Sequence, residues 1–291
     1  MKKTGILAAL GIIIITTGGV VAHRHEEQLP GNNRAATQLF EKIPVDETPD
    51  GKNQTYKIKL DNNKNNQVQI EVYRSSVAIV GHNADEVIIE APDYEVPERA
   101  EGLRSLFSEA EDNTKLGLSV NKDNNILKIV QANRRGGHYT IKVPKNVAVV
   151  YHESSPFGGK FELTDTAGEI DLELHHAGAT LTNITGPVNA NTVHGHLDIK
   201  FAELNQAKSS SIKSVHGPID ITLPGNTKAD LELEANHGEI YTDFDISRPS
   251  NSKNGLPQIA GGGTIKGKTN NGGVEMNVSA VHSNIYIRKQ K

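Results

Sequence analysis

One short pattern recurs through the second half of the chain and limits what the chain can fold into. It consists of a glycine, any residue, an apolar residue, a polar residue and a second apolar residue. Clear copies stand at 159–163, 168–172, 195–199 and 217–221, and weaker copies surround them. Alternate side chains of a β-strand point to opposite faces, so each copy predicts a strand of about five residues with one buried face.

The glycines that open these copies set the period of the repeat. They fall at positions 159, 168, 178, 186, 195, 217 and 238, with gaps of 9, 10, 8, 9, 22 and 21 residues. These gaps indicate a half-repeat near nine residues and a full repeat near twenty. A glycine before each strand supplies a tight corner, either through a positive φ or by letting another backbone approach closely.

The repeat predicts an all-β fold. We expect a single β-solenoid, similar to a β-helix or roll, with about 20 residues and two short strands in each coil. An antiparallel β-sandwich stays open as the alternative, because sandwiches also place short strands every 8–12 residues. Only 36% of the residues are hydrophobic and 4% aromatic. That composition suits a thin core that is built by repetition.

The first 22 residues have the features of an export signal. Lys2 and Lys3 precede an apolar run from Ile6 to Val21, and the chain becomes polar after Ala22. This pattern predicts a signal peptide over 1–22 that is cleaved near Ala22. The protein would then lie outside the cytoplasm, in the periplasm, on the outer membrane surface or secreted. A membrane is an expected partner only if residues 6–22 remain uncleaved.

The rest of the chain divides into a polar linker at 23–55 and one repeat domain at 56–291. Near 97–113 a proline is followed by apolar residues at helical spacing, which predicts a short helix or loop insertion. The segment near 247–268 contains two prolines and three consecutive glycines. We expect it to be a long loop.

Composition and motifs exclude several functional classes. The chain has no cysteine, which excludes a disulfide framework, a thiolate metal site and a lipid-modified N-terminal cysteine. Its net charge of −4 does not suggest a nucleic-acid partner. No nucleophile elbow, metalloprotease motif or phosphate loop is present. We therefore predict no catalytic residues and no cofactor.

Three histidines mark equivalent positions of the repeat. His194, His216 and His237 each precede a glycine that opens a strand. If the repeats stack in register, their imidazoles form a ladder with a spacing of about 4.8 Å. Further histidines at the same motif position or nearby in sequence are His175, His176, His196 and His282.

Two functions are open to such a ladder. Neighbouring imidazoles could share zinc or copper, or the ladder could sense pH. No acidic residue has a ligand-like spacing from the histidines. We therefore expect exposed residues at a corner and no bound metal.

Acidic residues form a second candidate ladder. Asp198 and Asp220 occupy the same outward position of their strands, and Asp171 occupies a related one. Ca²⁺ requires six to eight oxygen ligands, and the nonapeptide of calcium-binding rolls is absent. The pairs Glu169/Asp171 and Glu232/Glu234 are spaced i, i+2, so each pair shares the exposed face of a strand. We expect a solvated sheet face.

Several segments resemble a bacterial "putative adhesin" domain of unknown function that is built from β-strand repeats, of the kind found in Bacteroidota. They are 139–145, 181–188, 270–276 and 285–288, and the likeness covers about 68–291. The resemblance implies an exported, solenoid-like β protein with no established activity. It implies no catalytic residues.

These observations predict an exported, non-enzymatic protein of the cell envelope, an adhesin or structural binding module. Its partner would be an unknown envelope or surface ligand, either a protein or a glycan. An accessory or sensor protein of the envelope stress response is the alternative. A carbohydrate-active β-helix enzyme is a weaker one, because it rests on fold analogy alone.

Overall fold

The computed structural model describes residues 54–61, 65–247 and 264–291, all within the second of the two units into which the chain divides, 45–291. The predicted signal peptide lies outside the described residues, and so does the predicted linker up to residue 53. The described residues contain no helix that is long and apolar enough to cross a membrane. They form an all-β fold of two ten-stranded sheets, which confirms the predicted class.

The strands in chain order are β1 Thr55–Lys59, β2 Gln67–Val72, β3 Ser76–His82, β4 Glu86–Glu90, β5 Leu118–Asp123, β6 Ile126–Gln131, β7 His138–Pro144, β8 Ala148–Glu153, β9 Lys160–Thr164, β10 Ile170–Leu174, β11 Gly178–Ile184, β12 Val188–Thr192, β13 Leu197–Phe201, β14 Ser210–Ser214, β15 Ile219–Leu223, β16 Ala229–Ala235, β17 Ile240–Thr242, β18 Thr264–Thr269, β19 Val274–Ala280 and β20 Ile285–Lys289. The first sheet has the order β1-β4-β7-β3-β9-β11-β13-β15-β20-β17, and the second has the order β18-β16-β19-β14-β12-β10-β8-β2-β6-β5.

Successive strands of the repeat region alternate between the two sheets. The strands β8, β10, β12 and β14 belong to the second sheet, and β9, β11, β13 and β15 belong to the first. Neighbours within a sheet pair in parallel and in register, as Leu197 does with Ile219 and Ile170 with Val188. The chain therefore returns to the same sheet once in every full repeat.

The core lies between the inward faces of the two sheets. Alternate residues are buried along most strands, as at Ile219, Ile221 and Leu223 of β15. Isoleucine, leucine and valine make up most of the single buried cluster. The rings of Tyr151 and Phe161 meet within it at 4.2 Å between centroids. The apolar positions of the sequence pattern are thus the core positions.

The order of strands in space departs from their order in sequence at both ends of the repeat array. The last pair, β19 and β20, lies between β14/β15 and β16/β17. Near the other end, β2 and β3 lie between β6/β7 and β8/β9. The copies of the motif are alike, so the sequence pattern did not reveal which copies are neighbours.

Three of the four end strands, β1, β5 and β18, pair antiparallel with their neighbours, whereas β17 pairs in parallel with β20. Strand β4 pairs antiparallel with β1 and β7, β5 pairs antiparallel with β6, and β18 pairs antiparallel with β16. Exposed edges of parallel sheets present unpaired backbone groups to other chains. These reversed strands cover the backbone groups of the repeats beneath them.

The segment near 97–113 forms a loop, and its apolar spacing does not produce an α-helix. Its regular part is one 3₁₀ turn, Glu98–Ala100, which follows Pro97. Leu103 and Leu106 remain 73% and 83% exposed. A helical pattern is stabilised mainly by burying its apolar face, and these residues have no core to face.

The predicted long loop is corrected at its C-terminal end. Residues 248–263 lie outside the described residues, but Thr264–Thr269 forms strand β18. The prediction missed this strand because Lys266, Gly267 and Lys268 lack alternating apolar residues. The strand is instead held by backbone pairing with β16, in which Glu232 lies opposite Lys266.

The glycines that open the strands permit close backbone contact. An ideal Cβ on Gly217 would lie 1.8 Å from the carbonyl oxygen of Gly195, and one on Gly195 would lie 1.7 Å from that of Ala177. Neither glycine has a positive φ. Of the two roles open to these glycines, the structure therefore supports close approach.

We expect Gly217→Ala to lower the free energy of unfolding by about 2 kcal/mol or more, because its Cβ would overlap a main-chain oxygen that cannot move independently. Gly225→Ala is the matched control, because no atom lies within 4 Å of the added Cβ. The control should stay within about 0.5 kcal/mol of the native protein. Equal effects of the two changes in urea unfolding would contradict the close-approach role.

The two most deeply buried tyrosines, Tyr151 and Tyr139, give a second matched pair of variants. Tyr151 Oη has no hydrogen-bond partner among the described residues, whereas Tyr139 Oη donates to the Leu116 carbonyl at 3.0 Å. Tyr151→Phe should leave stability unchanged or raise it, and Tyr139→Phe should lower it by about 1 kcal/mol. Thermal unfolding of both variants tests this difference. A larger loss in Tyr151→Phe would show that its hydroxyl is satisfied.

Candidate functional site

Five histidine side chains stack face to face along one corner between the sheets. Their order is His176, His194, His216, His282 and His237, and all five are exposed. Successive ring centroids lie 4.8, 4.8, 4.9 and 4.9 Å apart, with interplanar angles of 19° or less. We call these five residues the histidine stack.

The stack lies where strands of the second sheet lead into strands of the first. We call this region the histidine corner, and it comprises residues 175–178, 193–196, 215–218, 236–239 and 281–284. Backbone hydrogen bonds join its layers: His194 N–H donates to His175 O at 2.9 Å, and His216 N–H donates to Val193 O at 2.9 Å. The ring spacing therefore follows the spacing of the strands, about 4.8 Å.

Buried side chains hold the corner from the inside. Thr192 Oγ1 accepts a hydrogen bond from Gly195 N–H at 3.0 Å, and Ser214 Oγ accepts one from Gly217 N–H at 2.9 Å. These bonds satisfy backbone donors that would otherwise be buried without partners. The corner backbone is fixed by these bonds independently of the exposed imidazoles.

A buried carboxylate satisfies backbone N–H groups at the His176 end of the stack. Glu153 is 2% exposed, and its oxygens accept hydrogen bonds from the backbone N–H groups of Ser155, His175 and His176 at 2.5, 3.3 and 3.2 Å. Sequence reasoning missed this residue. The signal was present, because Glu153 occupies an inward position of β8, two residues after the buried Tyr151.

The structure brings together the predicted ladder in a different order. His194 and His216 are direct neighbours, but His237 contacts His282 because β20 lies between β15 and β17. His176 begins the stack. His175 and His196 stay outside it, and the His196 ring covers Gly178, where a Cβ would lie 2.4 Å from its Cε1.

The stacked geometry does not suit a shared metal ion. Equivalent nitrogens of parallel rings lie about as far apart as the rings, whereas two nitrogens at about 2.1 Å from one ion lie at most about 4.2 Å apart. Among the described residues, no group of three or more histidine or acidic side chains could hold a metal. The absence of a bound metal stays a prediction.

The stack favours the neutral form of the His194 imidazole. Partial desolvation lowers the pKa of His194 below its ordinary value, and the neighbouring His176 and His216 lower it further. An isolated histidine has a pKa of about 6.5. Charged rings at this separation repel each other, so each protonation makes the next one less favourable.

The acidic ladder consists of two residues on the outer face of the first sheet. Asp198 lies opposite Asp220 in the parallel pairing of β13 and β15. Arg288 Nε contacts both carboxylate oxygens of Asp220 at 2.8 and 2.9 Å, and Lys200 lies 3.8 Å from Asp198. Asp171 is in the second sheet, so it does not join the row. Nearby cations thus offset the repulsion between the two neighbouring carboxylates.

One member of each carboxylate pair of the second sheet also contacts a lysine. Glu169 forms an ion pair with Lys208 at 2.6 Å, and Glu232 forms one with Lys266 at 2.9 Å. Exposed pairs of this kind contribute little to stability, about 0–1 kcal/mol each. They nevertheless place a basic group on one carboxylate of each i, i+2 pair, Glu169 and Glu232.

A cavity of about 1280 Å³ lies beneath the loop after β4. Its walls include Tyr94, Leu103, Phe107 and Arg135. Asp112, an acidic residue in its wall, accepts hydrogen bonds from the backbone N–H groups of Thr114 and Gly117. Asp112 therefore holds the turn that leads into β5.

The two sheets, the repeat and the histidine corner define an all-β repeat protein. Comparison with known families identifies the family of this chain. It belongs to the family described as Toastrack DUF4097, whose profile matches residues 34–288. The comparison with curated proteins returns no match.

Solved structures of bacterial proteins show weak similarity. A "putative cell adhesion protein" of Clostridium sporogenes is 11% identical with a TM-score of 0.46, over 82% of this chain and 99% of the other. A "putative adhesin" of Bacteroides fragilis is 12% identical with a TM-score of 0.38, over 83% and 99%. Neither likeness is strong enough to transfer a function.

The lowered pKa of His194 predicts the sign of a pH effect. A folded-state pKa below the unfolded value of about 6.5 means that the unfolded chain binds more protons in mild acid. This contribution to stability is complete above that value and is lost as the pH falls through the folded pKa. We expect His194→Asn to lose less stability than the native protein between pH 7.5 and 5.

Thermal unfolding across this pH range measures the difference. The control is His138→Asn, which changes an exposed histidine outside the stack. It should follow the native pH dependence. Parallel curves for the native protein and His194→Asn would show that the stack does not influence this titration.

Proposed function

We propose that this protein is an exported, non-enzymatic binding module of the cell envelope, which presents rows of like side chains on a two-sheet solenoid. The histidine stack is the observation that carries this proposal. Five identical exposed side chains at a constant spacing offer a periodic surface to an extended partner. Glu153, Thr192 and Ser214 hold the backbone of three of the five layers from inside, and these bonds do not involve the imidazoles.

The solenoid part of the proposal is supported by the pairing of the repeats. Strands one repeat apart are parallel neighbours, and a strand of the other sheet joins them. The carbonyl oxygen of Gly195 would lie 1.8 Å from a Cβ on Gly217, one repeat later. Layers that are stacked by close backbone contact are typical of solenoids. Antiparallel sandwiches instead join neighbouring strands by hairpins.

A binding role is favoured over catalysis by the environment of the carboxylates. Glycoside hydrolysis needs two carboxyl groups that face one substrate bond, one of them free to donate a proton. One carboxylate of each i, i+2 pair, Glu169 or Glu232, forms a surface ion pair with a lysine, and Asp220 forms one with Arg288. We therefore expect the protein to bind surface ligands without cleaving them.

Two measurements on the full chain test the proposal. After expression in a bacterial host, fractionation and N-terminal sequencing should find an extracytoplasmic protein that begins at His23. Retention in the cytoplasm with an intact N-terminus would contradict export.

The processed protein should also sediment with isolated cell-envelope material. We expect the double variant His194→Asn/His216→Asn to sediment at least threefold less, whereas His138→Asn should behave like the native protein. Release of soluble sugars from the envelope material by the native protein would contradict the non-enzymatic role.

A further inference from the structure

We propose that the histidine stack binds a linear polysaccharide that carries carboxylates, and that it does so in its protonated form. This inference rests on the proposed binding function and adds the class of ligand. Its structural basis is the line of five exposed imidazoles with four nearly equal intervals of 4.8–4.9 Å.

The shape of the stack selects an extended ligand. A compact anion can contact one or two rings, whereas a linear chain with one acidic group on each unit can follow the whole row. The rings are held on paired backbone, as in the hydrogen bond of 2.8 Å from His282 N–H to Val215 O. A site that is already ordered loses little conformational entropy when a ligand binds.

The charge around the stack favours an anion. Within two residues of the five histidines along the chain, the one acidic side chain is Glu239, and its carboxylate accepts a hydrogen bond from Tyr241 Oη. The His196 ring adds a further imidazole at the histidine corner, over Gly178. Glu153 lies inside the corner with its oxygens occupied by backbone N–H groups.

Basic and aromatic groups lie beyond the head of the stack. A Cβ on Gly158 would lie 2.6 Å from His176 O, so the loop before β9 touches the backbone of this histidine. Phe157 in the same loop is 68% exposed, and the guanidinium of Arg74 lies 4.5 Å from its ring centroid. An exposed ring offers an apolar face to a sugar, which a polymer of phosphates would not use.

Imidazolium groups in the row repel each other, so a ligand that stabilises them must be anionic. The imidazoles become charged only in mild acid, so binding requires a lowered pH. Protonation of neighbouring rings is unfavourable by itself, and carboxylates along the row would offset this cost. Carboxylates with ordinary pKa values near 4 stay charged at pH 5–6, where histidines begin to take up protons. Binding is therefore coupled to proton uptake and strengthens as the pH falls.

Isothermal titration of the processed full chain with polygalacturonate tests the proposal. We expect binding at least tenfold tighter at pH 5.5 than at pH 7.5. Titrations at pH 5.5 in two buffers of different ionisation enthalpy should show an uptake of more than one proton for each bound protein. Neutral dextran should not bind.

Variants separate the imidazoles from the rest of the surface. His194→Asn/His216→Asn should weaken binding at least tenfold at pH 5.5, and His138→Asn should leave it unchanged. His194→Lys/His216→Lys should keep binding and lose most of its dependence on pH, because lysine is charged at both values. Circular dichroism confirms that each variant is folded.

Three results would overturn the proposal. They are binding that is equal at both pH values without proton uptake, equal affinity for polyphosphate and polygalacturonate, and no binding of polygalacturonate at either pH. If the native protein still sediments with envelope material, the binding function stands and the ligand assignment fails. If the native protein neither sediments with envelope material nor binds polygalacturonate, the binding function and the ligand assignment both fail.

Discussion

The close stacking of backbone at the corners is the constraint on which the rest of the structure depends. Strands one repeat apart are separated by about 4.8 Å, and at the corner the carbonyl oxygen of one layer occupies the place of a side chain in the next. Gly195 and Gly217 show this contact directly. Any residue beside such a glycine is then held above its equivalent in the neighbouring layer. The histidine stack follows from this geometry.

The inside and the outside of the corner have separate tasks. Thr192, Ser214 and Glu153 satisfy the backbone donors from within, while the apolar residues of both sheets fill the core. The outward-facing residues take little part in these hydrogen bonds or in the packing of the core. A fold of this kind can carry a functional row on its surface without changing the packing beneath it.

The ends of the array show how the repeat is closed. Antiparallel strands cover both sheets at one end of the array and the second sheet at the other, and the last pair of strands enters between earlier pairs. This insertion places His282 between His216 and His237 and completes a continuous row of five rings. Without it, the row at this end would be one ring shorter. The continuity of the candidate binding surface is therefore a product of the topology.

The sequence by itself determined the all-β class, the strands of the repeat, the glycine corners and the neighbouring pair His194 and His216. These features are local, because alternation of side chains and the size of glycine act within a few residues. Only the tertiary structure decided the order of the layers, the place of His282, the role of Glu153 and the backbone-held strand β18. The repeats are nearly identical in pattern, so contacts between distant residues, rather than local preference, select which of them become neighbours.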